Sequence, residues 1–86
     1  MPELCRFYGI IIKMFFLDHN PPHFHAEYQG QSAEFDIRTL ELIAGSLPSR
    51  AHALVLEWAA MHRAELLENW RKTSVPEPLS PIAPLP

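Results

Sequence analysis

Eighty-six residues, 48% of them hydrophobic and with a net charge of −3, are enough for one small domain and exclude a second. That charge gives no general attraction to a phosphate backbone, so DNA binding by this chain alone is not expected and any RNA contact must be local. The longest apolar run, Ile10 to Ile12 with Met14 to Leu17, is broken by Lys13 and is too short to span a membrane. Met1-Pro2-Glu3-Leu4 has no basic start leading into an apolar stretch, and the single cysteine, Cys5, has no internal partner, so the expectation is a soluble cytoplasmic protein.

Arg6 to Asp18 is rich in aromatic and β-branched residues without proline, which predicts one long strand, apolar on both alternating sets. Such a strand needs cover on both faces. Pro21-Pro22 cannot donate to a ladder and restricts Asn20 to extended conformations, so the chain turns there. From His23 to Tyr28 the pattern alternates, and Ala33, Phe35 and Ile37 repeat its apolar half beyond Gln29-Gly30. With those two residues as the loop, Phe24 falls opposite Phe35 and Ala26 opposite Ala33. The same register sets His25 opposite Glu34 and His23 opposite Asp36. A short fourth strand is predicted over Glu41 to Ala44, closed by Gly45-Ser46.

Helix formers then run from Arg50 to about Thr73, with Ser46 or Ser49 as the cap and Pro48 tolerated in the first turn. The stripe Ala51, Leu54, Val55, Trp58, Ala59, His62, Leu66 and Trp70 has the spacing of a helix lying on a sheet. Its length is large for this chain, which predicts a kink near His62 or a protruding end. Residues 76–86 hold five of the nine prolines, and Leu79, Ile82 and Leu85 recur every third residue, the period of polyproline II. The choice there is between a packed apolar edge and a frayed terminus. The fold class expected is α+β: a three- to four-stranded antiparallel meander packed on a long C-terminal helix, as one domain over 1–75 with a proline-rich tail over 76–86.

The chemistry concentrates in Asp18-His19-Asn20-Pro21-Pro22-His23-Phe24-His25. Two histidines two apart on a strand project to one side about 6–7 Å apart, from which both rings can reach one ion. Asp18 or His19 offers a third ligand, and zinc, nickel or iron all accept such a set. Without metal, carboxylates across the hairpin favour protonated rings and would poise His23 and His25 as acid and base, with Arg38 as a phosphate contact for RNA cleavage. The plain alternative is a polar sheet face with weak ion pairs, worth at most about 1 kcal/mol each. On the helix, His62, Glu65 and Asn69 interrupt the apolar stripe, either as hydrogen-bonded orienting groups or as a shell supporting the same site. Cys5 reads as a small packed residue rather than a nucleophile.

These residues resemble a bacterial family designated domain of unknown function 4160. The likeness runs from Pro2-Glu3 through Phe7-Tyr8-Gly9-Ile10, the Asp18 to His25 block, Leu47-Pro48, Leu56-Glu57-Trp58 with His62, Glu65-Leu66 and Asn69-Trp70, to Ile82 and Pro84-Leu85. The resemblance implies a small prokaryotic protein often encoded beside another short one, an arrangement like a toxin and antitoxin pair. It carries no established activity. Lys13 departs from the pattern, standing where many relatives carry a large apolar or aromatic residue, which argues against burial there.

The function expected is a component of a two-gene, toxin–antitoxin-like module acting through protein partnership, with His23 and His25 cleaving RNA. The alternative is a non-catalytic binding module, either an antitoxin or a scaffold stabilised by a divalent metal. In both, a protein partner encoded nearby or a second copy is expected.

Overall fold

Tyr8 and Gly9 both sit at positive φ, 50° and 80°, the geometry of a tight hairpin turn, and they divide the long apolar N-terminal run into two short strands. In the computed structural model, which describes residues 3–86, β1 (Glu3–Phe7) and β2 (Ile10–Lys13) pair as a hairpin. The single strand expected over Arg6 to Asp18 is therefore replaced by two. Glycine supplies the left-handed conformation at no steric cost. β3 (His23–Tyr28) and β4 (Gln31–Asp36) follow, then β5 (Leu42–Gly45), giving one antiparallel sheet in the order β1-β2-β3-β4-β5. The class is α+β as expected, with one or two strands more.

The β3–β4 register places Phe24 against Phe35, Ala26 against Ala33, His25 against Glu34 and His23 against Asp36, with Gln29 and Gly30 as the loop. The apolar half of that hairpin, joined by Ile10, Ile12 and Met14, forms the buried face of the sheet. Lys13 faces the other side. Its side chain is only 14% exposed and its ammonium lies 3.0 Å from Glu27 Oε2, so the position is covered after all, with its charge paired.

Gly45 closes β5 at φ +72°, and a Cβ there would run into the Ser32 carbonyl. Gly45→Ala is expected to destabilise the fold by more than about 1 kcal/mol, since it combines a left-handed backbone with a clash. Urea denaturation checks this: an unchanged midpoint would mean that the β4–β5 pairing relaxes freely.

The helical run breaks where its length suggested. α1 (Ser49–Met61) and α2 (Arg63–Ser74) meet at His62, whose φ of −126° and ψ of 24° leave the helical region. No side chain caps α1, contrary to the role expected of Ser46 or Ser49. Pro48 takes the cap position in an extended conformation, and Ser49 is the first helical residue. α1 covers the sheet through Ala51, Val55, Trp58 and Ala59, all buried. Trp58 packs its ring 5.5 Å from Phe7 and 5.9 Å from Phe24.

Past the break, α2 is tied to the end of β4 and to the loop between β2 and β3. Arg63 Nε donates to the Ile37 carbonyl, and the Leu17 N–H donates to the Thr73 carbonyl. The tail lies against the body, with Ile82 and Leu85 buried and Leu79 packed on the core. It joins the core on the Trp58 side, so it does not cover the other face of β2, where Ile11 remains half-buried. No helix among the described residues is long and apolar enough to cross a membrane.

Candidate metal centre

Asp18, at the end of the β2–β3 loop's apolar half, turns its carboxylate onto the first two alternating histidines of β3. Its Oδ2 lies 3.0 Å from His23 Nε2 and 3.2 Å from His25 Nε2. One ligand atom from each of the three side chains falls within 4.8 Å of the others. Metal–nitrogen and metal–oxygen bonds of ~2.0–2.1 Å place neighbouring donor atoms about 3–3.4 Å apart, so the two distances to Asp18 suit a shared ion as well as they suit hydrogen bonds.

The second nitrogen of His23 decides what the first can do. Nδ1 lies 2.7 Å from the Pro21 carbonyl, which only accepts, so Nδ1 carries a proton and donates it. Nε2 then faces Asp18 Oδ2 and, at 3.5 Å, Glu34 Oε1, both acceptors when ionised. A neutral ring would set a lone pair against two carboxylates. The arrangement closes electrostatically only with positive charge at Nε2, supplied by a second proton or by a metal cation. A ligating histidine whose other N–H is fixed by a backbone carbonyl is the usual outer-shell arrangement of protein metal sites.

His23 was expected on an open polar sheet face and is instead 1% exposed. The cause is α2, which beyond the break at His62 sets Trp70 5.1 Å from the His23 ring. Phe15 meets the His25 ring edge-on at 4.5 Å. His25 and Asp18 keep 20% and 19% of their side-chain surface, so solvent reaches the cluster from that side. Burial raises the Asp18 carboxyl, but the His19 backbone N–H and the rings of His25 and His23 outweigh it and hold it below the ordinary aspartate value.

The other residues singled out in the sequence are arranged differently. Asp36 stands opposite His23 in the register, as expected, but its carboxylate turns to the chain that follows β4. Its Oδ1 accepts the backbone N–H groups of Arg38 and Thr39, a turn-forming role that consumes the carboxylate. Glu34 leans diagonally to His23 rather than straight across to His25. Arg38 is exposed and meets this region through that backbone N–H. His19 has 81% of its side chain in solvent and is 3.9 Å from Asp18 Oδ1, beside the cluster but outside the group of three. His62 Nδ1 donates to Glu65 Oε1 at 2.6 Å, a pair of its own whose imidazole packs on the Trp58 ring. Asn69 is buried and bonds the backbone of Ser80 through both ends of its amide. Cys5 is inert, its thiol pushed up to about 12 by burial and then by the charge of Glu3.

Sequence reasoning missed Trp70 as the wall of the site, although its place on the helix stripe was visible. Contact with His23 depends on the direction α2 takes after the break, which no local pattern encodes.

No curated protein and no solved structure matches the chain. A family model described as a domain of unknown function, DUF4160, matches residues 9–71, a span that contains Asp18, His23, His25, Glu34 and Trp70. That match covers well over half of the sequence, and the chain belongs to the DUF4160 family.

Proposed function

We propose that the chain binds one divalent transition-metal ion through Asp18, His23 and His25, and serves as the metal-bearing component of a cytoplasmic two-gene, toxin–antitoxin-like module. The observation that carries this reading is the single Asp18 oxygen held within 3.2 Å of both ring nitrogens while Pro21 occupies the far nitrogen of His23. Two nitrogens and one oxygen suit zinc, nickel or iron(II). Asp18, His23 and His25 would hold such an ion with positions left open, and it would supply Lewis-acid chemistry toward a carbonyl or phosphoryl oxygen.

The chain's own residues define the rest. Pro21 fixes the tautomer of His23, Trp70 and Phe15 exclude water from the inner side, and Glu34 stands beside the cluster as an acceptor. Metal-free cleavage of RNA by His23 and His25 is less well supported. His23 is closed to a substrate, and the carboxylates of Asp18 and Glu34 repel a phosphate unless a cation stands between. RNA engagement therefore rests on the ion. The partnership half of the reading draws on Phe16 and Leu17, 41% and 73% exposed immediately before Asp18, apolar surface that a protein partner would cover.

Elemental analysis of protein purified without a histidine tag tests the site. About one equivalent of metal is expected, falling to background in Asp18→Asn combined with His25→Ala, with a lower melting temperature of the native protein in chelator. Protein that takes up no zinc, nickel, cobalt or iron(II) and melts identically in chelator would overturn the reading.

A further inference from the structure

Residues 79–86 are held in a groove that bonds them mainly through their backbone and buries two of their apolar side chains. Asn69 donates from Nδ2 to the Ser80 carbonyl at 2.9 Å and accepts the Ser80 N–H at 2.8 Å. The Ile82 N–H donates to the Leu4 carbonyl, Trp58 Nε1 donates to the Ala83 carbonyl at 2.8 Å, and the Tyr8 hydroxyl donates to the Pro86 carbonyl at 2.6 Å. Between these bonds Ile82 and Leu85 sink into the core while Pro81 and Pro84 face solvent. One apolar edge of period three, prolines outward and carbonyls read by a buried tryptophan and an amide, is the chemistry by which proteins bind extended proline-rich peptides.

We propose that this groove is a recognition site for such a segment, and that a second copy of this chain supplies it, the two copies exchanging residues 79–86. The contacts are independent of the connection: these hydrogen bonds, with a sixth from Lys72 Nζ to Ser80 Oγ at 2.7 Å, are the same whether the segment arrives in cis or in trans. The connection itself is weakly held. Residues 74–78 are exposed, and the reversal after α2 is held by the Val75 and Glu77 N–H groups sharing the Lys72 carbonyl and by a solvent-exposed ion pair of Arg71 with Glu77 at 3.4 Å.

A cis tail competes at an effective concentration of about millimolar, which shuts out a weak linear ligand. A reciprocal exchange avoids that competition because both grooves stay filled. It also brings the hinge regions of the two copies together, where Val75 is 52% exposed and Leu17, bonded to Thr73 beside the hinge, is 73% exposed. Exchange of an identical element is the low-cost route to a dimer when the connecting loop can open.

The test uses two full-length variants: Ile82→Asp with Leu85→Asp, whose tail cannot dock, and Asn69→Ala with Tyr8→Phe, whose groove is weakened but whose tail is intact. Mixed in equal amounts after each has been shown folded by circular dichroism, they are expected to form a one-to-one complex in native mass spectrometry that melts above either variant alone. Unmodified protein mixed with its isotope-labelled copy at high concentration is expected to give mixed dimers. A synthetic peptide of residues 79–86, added to the tail-defective variant, is expected to change Trp58 fluorescence saturably. Peptide binding without any complex between copies would overturn the exchange, and failure of the peptide to bind would overturn the recognition site itself. Should either variant fail to fold alone, the isotope mixture and the peptide decide.

Discussion

Trp58→Ala is expected to lower the melting temperature by more than about 10 °C and leave a measurable unfolded fraction at 25 °C. Deleting a fully buried tryptophan typically costs about 3–5 kcal/mol, against a total stability of roughly 5–15 kcal/mol for a domain. At this chain length each kcal/mol moves the midpoint by about 4–8 °C. Trp58 is fully buried, stacks near Phe7, Phe24 and His62, and is the hydrogen-bond donor that fixes Ala83. Its removal therefore loosens three things together: the sheet–helix interface, the α1–α2 junction and the tail. Trp58→Phe separates them, because it keeps most of the ring volume and deletes the bond to Ala83. For that variant a loss of about 0.5–1.5 kcal/mol from the hydrogen bond is expected, with earlier proteolysis near residues 76–78. Thermal melts and limited proteolysis check both. A Trp58→Ala protein melting within a few degrees of the parent would mean that the core repacks around the cavity.

Register was legible where one face had to be buried. Phe24, Ala26, Ala33 and Phe35 alternate around a two-residue Gln29-Gly30 loop, and a slip by one residue would expose all four, so a single pairing satisfied the pattern. Gly9 gave the same kind of signal for the first hairpin. It was masked because the aromatic and β-branched residues on both sides of it, within Arg6 to Asp18, read as one strand. The break at His62 was visible as excess helix length, while the direction of α2 beyond it was not, since that is decided by Trp70, Leu66 and Asn69 packing against groups distant in sequence. His23 changed most for that reason: alternation placed it on the polar face, and only the packing of α2 there makes that face an interior at its edge. Asp36 shows a different limit. Two carboxylates were available opposite the histidines, and the turn at 37–39 claimed one of them through its backbone N–H groups.

His23→Ala and His25→Ala are expected to agree in metal content and to differ in stability. Loss of either nitrogen leaves two protein donors, so both variants should lose stoichiometric metal. Without metal, His23→Ala removes a ring that is 1% exposed, packs on Trp70 and satisfies Asp18 and Pro21, leaving acceptors without their donor; a loss of about 1–3 kcal/mol is expected. His25 keeps a fifth of its surface, and its removal leaves Asp18 still bonded to His23, so its cost should stay below about 1 kcal/mol. Equal stabilities for the two metal-free variants would contradict the buried role assigned to His23. The acid limb adds a second check with a definite sign. Because the folded protein holds the Asp18 carboxyl below its unfolded value, this group's contribution is present at pH above the unfolded value and is lost as pH falls through the folded one. Asp18→Asn should therefore flatten the decline of stability below about pH 4. Metal would deepen the same limb, because its ligands must be deprotonated to bind, so the metal-loaded protein should lose its extra stability on acidification before the metal-free protein begins to unfold.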